Sequence, residues 1–176
     1  MNRRIWLSML VLLLVPACAH YEKDFKPEPV AQEFLPKFQL SSDVAVVGVF
    51  QDAPTEVQFM ADAMNMHKWY TDDNELVSIA VMVTKDILMQ NKVAVNENAP
   101  KVLKISFANS EQDMGMWSVG INFRFQVQAG DEITKEFQGS QNVVSGYQAH
   151  WAVEAAVSDA MIKVFQDPDI LNYLKN

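Results

Sequence analysis

Three histidines, His20, His67 and His150, and one cysteine, Cys18, are the side chains of this sequence with the widest chemical range. No two histidines stand four residues apart, as two zinc ligands on one helix face would, and a lone thiol cannot complete a Cys/His ligand set. The chain has no Gly-x-Ser-x-Gly turn, no phosphate-binding loop and no Gly-x-Gly-x-x-Gly turn. Ser145-Gly146 precedes a helical stretch and reads as part of its start, not as a nucleophile. Carboxylates are plentiful, but Asp72, Glu75 and Asp167 stand where helices need caps, and Asp113 and Asp131 lie in turn-like sequence. These residues predict no enzyme, no metal and no cofactor. The chemistry that remains is soft apolar contact. Met60, Met64, Met66, Trp69 and Tyr70 form one such set, and Met114, Met116 and Trp117 a second. Flexible thioethers and aromatic rings suit an adaptable partner-binding surface, or else pack beneath a loop.

Cys18 has a more specific context. Met1-Asn2-Arg3-Arg4 is a basic start, Ile5 to Val15 is apolar except for Ser8, and Val15-Pro16-Ala17 leads into the cysteine. A basic n-region, an apolar h-region and a small residue before the cut describe a secretory signal peptide. With cysteine directly after the cut, the segment resembles the signal peptides of bacterial lipoproteins. Val15 and Ala17 match their lipobox, whereas Pro16 departs from it. An ordinary signal peptide with a chance cysteine is the alternative. The apolar run falls short of the roughly 20 residues needed to span a hydrocarbon core about 30 Å thick. The resemblance implies that residues 1–17 are removed, that Cys18 carries acyl chains such as palmitate, and that the mature protein is held stably in a membrane. Ala19, rather than Asp, follows the cysteine, which by the enterobacterial sorting rule implies the outer membrane, with the body facing the periplasm.

The mature chain is long enough for one core without metal or disulfide staples. Loss of Arg3 and Arg4 makes it more acidic than the −8 of the whole sequence. Such a surface is soluble and disfavours nucleic acid and anionic lipid headgroups. An apolar fraction of 49% excludes general disorder.

The elements follow from periodicity. Residues 18–43, with Pro27, Pro29 and Pro36, read as the lipidated cysteine and a tether, part of which lies against the body. Residues 44–176 read as one domain. Val44 to Phe50 fits a strand buried on both faces. Residues 51–71 suggest a short helix through Met60 and Met64, opened by Pro54. Asp72 to Gln90 is an amphipathic helix, with Asp72 and Glu75 as a capping box and Asn91 as a left-handed end. Val102 to Ala108 alternates as a strand, residues 109–117 read as a turn region, and Val119 to Val127 has the cleanest alternation in the chain. Ala129-Gly130-Asp131 turns it into a returning strand from Ile133 to Gly139. Gln148 to Phe165 is a second long helix, and Asp167-Pro168 opens a short terminal one.

This order predicts an α+β fold: a two-layer β-α-β-β-β-α sandwich with a four-stranded mixed sheet and two long helices on one face. The other face carries Lys104, Ser106, Asn122, Arg124 and Gln126. A lipobox, a Pro-containing tether and this body resemble the small outer-membrane lipoproteins of the YajG type. The stretch Ala155 to Leu174 is similar to their ending, a long helix running into a short Asp-led one. The wider group looks like the auxiliary lipoproteins of envelope transport systems, including LptE and PqiC. The resemblance implies a non-enzymatic periplasmic domain that binds an envelope protein complex, or alternatively handles a lipid or other apolar ligand. An envelope hydrolase is a third class, which clustering of His67 or His150 with carboxylates would favour.

Overall fold

The sheet grows outward from one parallel pair. In the computed structural model, which describes residues 27–60, 68–115, 118–143 and 149–176 and gives backbone alone at 59, 60, 68, 69, 114, 143, 149 and 150, β1 (Val44–Gly48) lies parallel to β4 (Lys101–Met114). The helix α1 (Asp73–Gln90) connects them, as a parallel pair requires. β4, β5 (Val119–Ala129) and β6 (Ile133–Val143) form an antiparallel meander, and the sheet order is β1-β4-β5-β6. The fold is therefore α+β with a four-stranded mixed sheet.

Alternation along β5 sets the two faces. Val119, Ile121, Phe123, Phe125 and Val127 are buried, while Asn122 and Arg124 are only partly covered. β1 corrects one expectation. Val44, Ala45 and Val46 are buried, but Val47 is exposed, because an edge strand has a single strand neighbour and little to cover its open face. β4 runs well past Ala108, so the predicted turn region 109–117 is strand through Met114, and Asp113 lies in the ladder, not in a turn. The pairing register shifts between Phe107 and Asn109. A bulge there lets Ser110 and Gln112 oppose Phe123 and Ile121 on the core face, which simple alternation from Leu103 would not give. β6 likewise extends beyond Gly139.

α1 packs on β1, β4 and the helix α2 (Ala149–Val164), and α2 packs on β5 and β6. The stripe Val153, Val157, Ala160, Met161 and Val164 is fully buried. α2 comes so close to β6 that a Cβ on Gly139 would lie 1.8 Å from the Ala156 carbonyl oxygen. Glycine is required there by backbone contact. The short helix α3 (Pro168–Lys175) buries Ile170 and Leu174, with Asp167 as its cap and Pro168 in its first turn. Its Tyr173 hydroxyl accepts from the Val102 amide at 3.0 Å, which pins it to the end of the sheet where β4 begins.

Two further pieces join the helical layer. Residues 27–43, assigned to the tether by sequence, form a strap across it. Val30 and Leu35 are buried in the common core, and the Phe38 ring stacks on Phe165 with centroids 5.0 Å apart. Asn91 does not take the left-handed conformation expected of it; Lys92, at φ 62°, does. The Asn91 side chain instead donates to the Pro36 and Ile87 carbonyls and accepts from the Phe38 amide. The second piece is a hairpin of β2 (Glu56–Met60) and β3 (Lys68–Asp72), a separate two-stranded sheet.

Candidate partner-binding surface

That hairpin overturns the helix expected through Met60. Glu56-Val-Gln-Phe alternates polar and apolar residues, and β-branched and aromatic types favour extended chain. Asp52 and Pro54 suggested a helix start, but the long-range pairing prevailed. Glu56 opposes Asp72, Val57 opposes Thr71, Gln58 opposes Tyr70, Phe59 opposes Trp69 and Met60 opposes Lys68. Val57 and Thr71 are both buried, so this pair faces the body.

An isolated two-stranded hairpin is marginal in water. The first turn of α1 holds this one. The Asp73 carboxylate accepts from the Thr55 amide at 3.1 Å, and the Asp73 amide donates to the Thr55 carbonyl at 3.1 Å. Asn74 exchanges two bonds with the Gln51 backbone. Asp72 caps the helix through the Glu75 amide at 2.7 Å. The Glu75 carboxylate takes the Thr71 hydroxyl, an interaction the expected capping box did not include. On the other side the Gln112 amide donates to the Gln58 carbonyl at 3.3 Å, which seats β2 beside the far end of β4.

This contact brings the described members of the two sequence-distant Met and aromatic sets to one end of the domain. Met60 ends β2, Trp69 and Tyr70 lie in β3, and Met114 ends β4. Tyr70 is half-buried. Met64 and Met66, Met116 and Trp117, and Cys18 with the whole signal segment lie outside the described residues. So do His20, His67 and Ser145-Gly146, while His150 is described by backbone only.

A second concave surface was not anticipated. A groove of about 720 Å³ runs between the strap and α2. Phe34, Val30 and Pro29 line the strap side, Trp151, Ala155 and Ile162 the helix side. Phe34 is 64% exposed and Trp151 is 56% exposed. A signal was present: Trp151, Ala155, Ser158 and Ile162 follow the i, i+4, i+7, i+11 spacing of a second stripe on α2. At the groove's β6 side, Asp159 accepts from the Ser140 amide at 3.0 Å and Lys163 donates to the Gln138 carbonyl at 2.8 Å. These two charges pair with each other and cover part of the sheet edge.

The strongest electrostatic cluster lies elsewhere. Lys135 reaches Asp167 at 2.8 Å and Asp169 at 2.6 Å. The hydrogen bonds that Lys135 donates to these carboxylates raise its pKa. Burial pushes the Asp167 carboxyl up, but Lys135 and the Ile170 and Asp169 amides together hold it below its usual value. The cluster fastens the start of α3 to β6. Among the described residues, no group of three or more His, Cys, Asp or Glu is placed to hold a metal ion, and no helix is long and apolar enough to cross a membrane. No protein-family model matches the chain, and no curated protein is significantly similar to it.

Proposed function

We propose that this protein is a non-enzymatic periplasmic domain, held at the outer membrane by acyl chains on Cys18, that works by binding an envelope protein complex. The convergence of Met60, Trp69, Tyr70 and Met114, the described members of the two sets, at one end of the domain carries this reading. A hairpin outside the main sheet presents residues there without interrupting the core, a suitable mount for a contact surface. Several carboxylates have structural partners: Asp72 and Asp167 cap helices, Asp73 holds the hairpin, Asp86 the strap and Asp159 β6. The lipobox-like start supports the anchor, and its resemblance to YajG-type lipoproteins supports the compartment.

Photo-crosslinkers placed at Trp69 and Met114 in the lipidated protein in intact cells test the proposal. The expected outcome is one envelope protein attached at both positions and absent from a crosslinker at Gln126, on the open sheet face. Charged substitutions at Met64 and Trp69 should abolish the crosslink while the fold persists. Crosslinks that are equal at all three positions, or a collapsed fold, refute the surface. The groove favours a second reading, apolar-ligand handling. Native mass spectrometry of the purified protein distinguishes it: co-purified lipid supports handling, and lipid-free protein opposes it.

A further inference from the structure

We infer that the strap side of the helical layer rests against a lipid surface of low charge. The inference depends on the proposed acylation of Cys18. Four large exposed apolar side chains lie on the strap or on the helices beside it. Phe34 and Trp151 line one groove, and Met82 and Met89, 44% and 58% exposed, stand seven residues apart on one side of α1. Met82 lines a hollow together with Pro27, Glu28 and Pro29. Apolar side chains of this size, gathered around one chain segment, are unusual on a surface that meets only water.

The covalent geometry selects the occupant. The described body begins at Pro27, which sits beside Met82, and Cys18 is nine positions earlier. Whatever their conformation, nine peptide steps span at most roughly 30 Å. The bilayer surface thus lies within that distance of the start of the strap. Tethering makes the contact intramolecular, at an effective concentration in the millimolar range for short linkers. A patch too weak to hold a free protein on lipid is then sufficient. Trp and Phe favour the depth of the headgroups, and Met adapts to an irregular surface. Glu28, Glu154 and Asp159 line the groove with Lys163, and Asp86 lines the hollow beside Met82. The acidic excess disfavours anionic headgroups and favours zwitterionic ones.

The test uses the acylated protein in phosphatidylcholine vesicles. With Cys18 acylated, Phe34→Cys, Met89→Cys and Gln126→Cys each introduce a single reactive thiol for a nitroxide label. Labels at 34 and 89 are expected to lose accessibility to a water-soluble nickel relaxant and to gain accessibility to oxygen. The label at 126 stays aqueous. Adding Phe34→Asp and Trp151→Asp restores nickel access at position 89, and anionic phosphatidylglycerol in the vesicles weakens the protection. Equal nickel access at 34, 89 and 126, in protein that floats with the vesicles, overturns the docking alone. Spin–spin broadening at 34 places a second copy on this side and overturns it too. Protein that does not float overturns the anchor and the docking together.

Discussion

Single residues show where tertiary contact is least tolerant. Gly139 lies under α2 with no room for a Cβ. Gly139→Ala is expected to destabilise the domain by about 3 kcal/mol or more, as overpacking against backbone cannot relax through side-chain motion; urea unfolding followed by circular dichroism measures it. The Asn91 side chain makes two hydrogen bonds that join the end of α1 to the strap and a third to the Ile87 carbonyl of α1 itself. Asn91→Ala should cost about 1–3 kcal/mol, because it strands partly buried backbone groups. Amide exchange would show the loss concentrated in residues 27–38. Asp167 gives a pH signature. Its folded pKa lies below the ordinary 3.8, so its contribution is fully present above that value and is lost as pH falls through the folded pKa. Lys135 has the opposite sign: its contribution is full below 10.5 and is lost as pH rises through a raised folded pKa. Comparing the stability profiles of the wild type and Asp167→Asn should show the acid-side loss in the wild type only.

At the scale of elements, the hairpin and the strap are the weaker parts. β2 and β3 pair only with each other, and Val57 is the buried hydrophobic anchor of β2. Val57→Asp places a charge in that buried site and should release the hairpin, while the four-stranded sheet and α2 keep their packing. Fast amide exchange over residues 56–60 and 68–72, with slow exchange retained in β5, is the expected pattern; loss of protection in β5 would make the hairpin part of the cooperative core. The helix starts differ from the hairpin in legibility. Asp72 and Asp167 cap the helices that the sequence assigned to them, since a cap is a local matter of a side chain and amides two or three residues away. The hairpin was not legible because its strands are short and pair outside the main sheet, so a proline near an apolar run imitated a helix start.

For the whole molecule, the strap, the groove and the hairpin end place different surfaces on different sides of one domain. The strap side carries Phe34, Met82, Met89 and Trp151 near the proposed anchor. The hairpin end holds Trp69 and Met114, and the open sheet face is polar, with Arg124 paired to Glu111 at 3.1 Å and Asn122 bonded to Asp113. An orientation with the strap toward lipid leaves the hairpin end available to another protein.

By itself the sequence determined the α+β class, the helical stretches at 73–90 and 149–164, the β5 alternation and the Asp72 and Asp167 caps. Each depends on periodicity or on contacts within a few residues, which the chain carries wherever it goes. Only the tertiary structure decided the rest. β4 passes through a bulge at Ala108 because β5 stays paired with it on either side. The strap joins the core because α1 and α2 leave an apolar seam that Val30, Leu35 and Phe38 cover. Phe34 and Trp151, far apart in the chain, line one groove only because those long-range contacts set the strap beside α2. Such pairings depend on which surfaces remain uncovered after the sheet and helices have packed, and that is a property of the assembled fold.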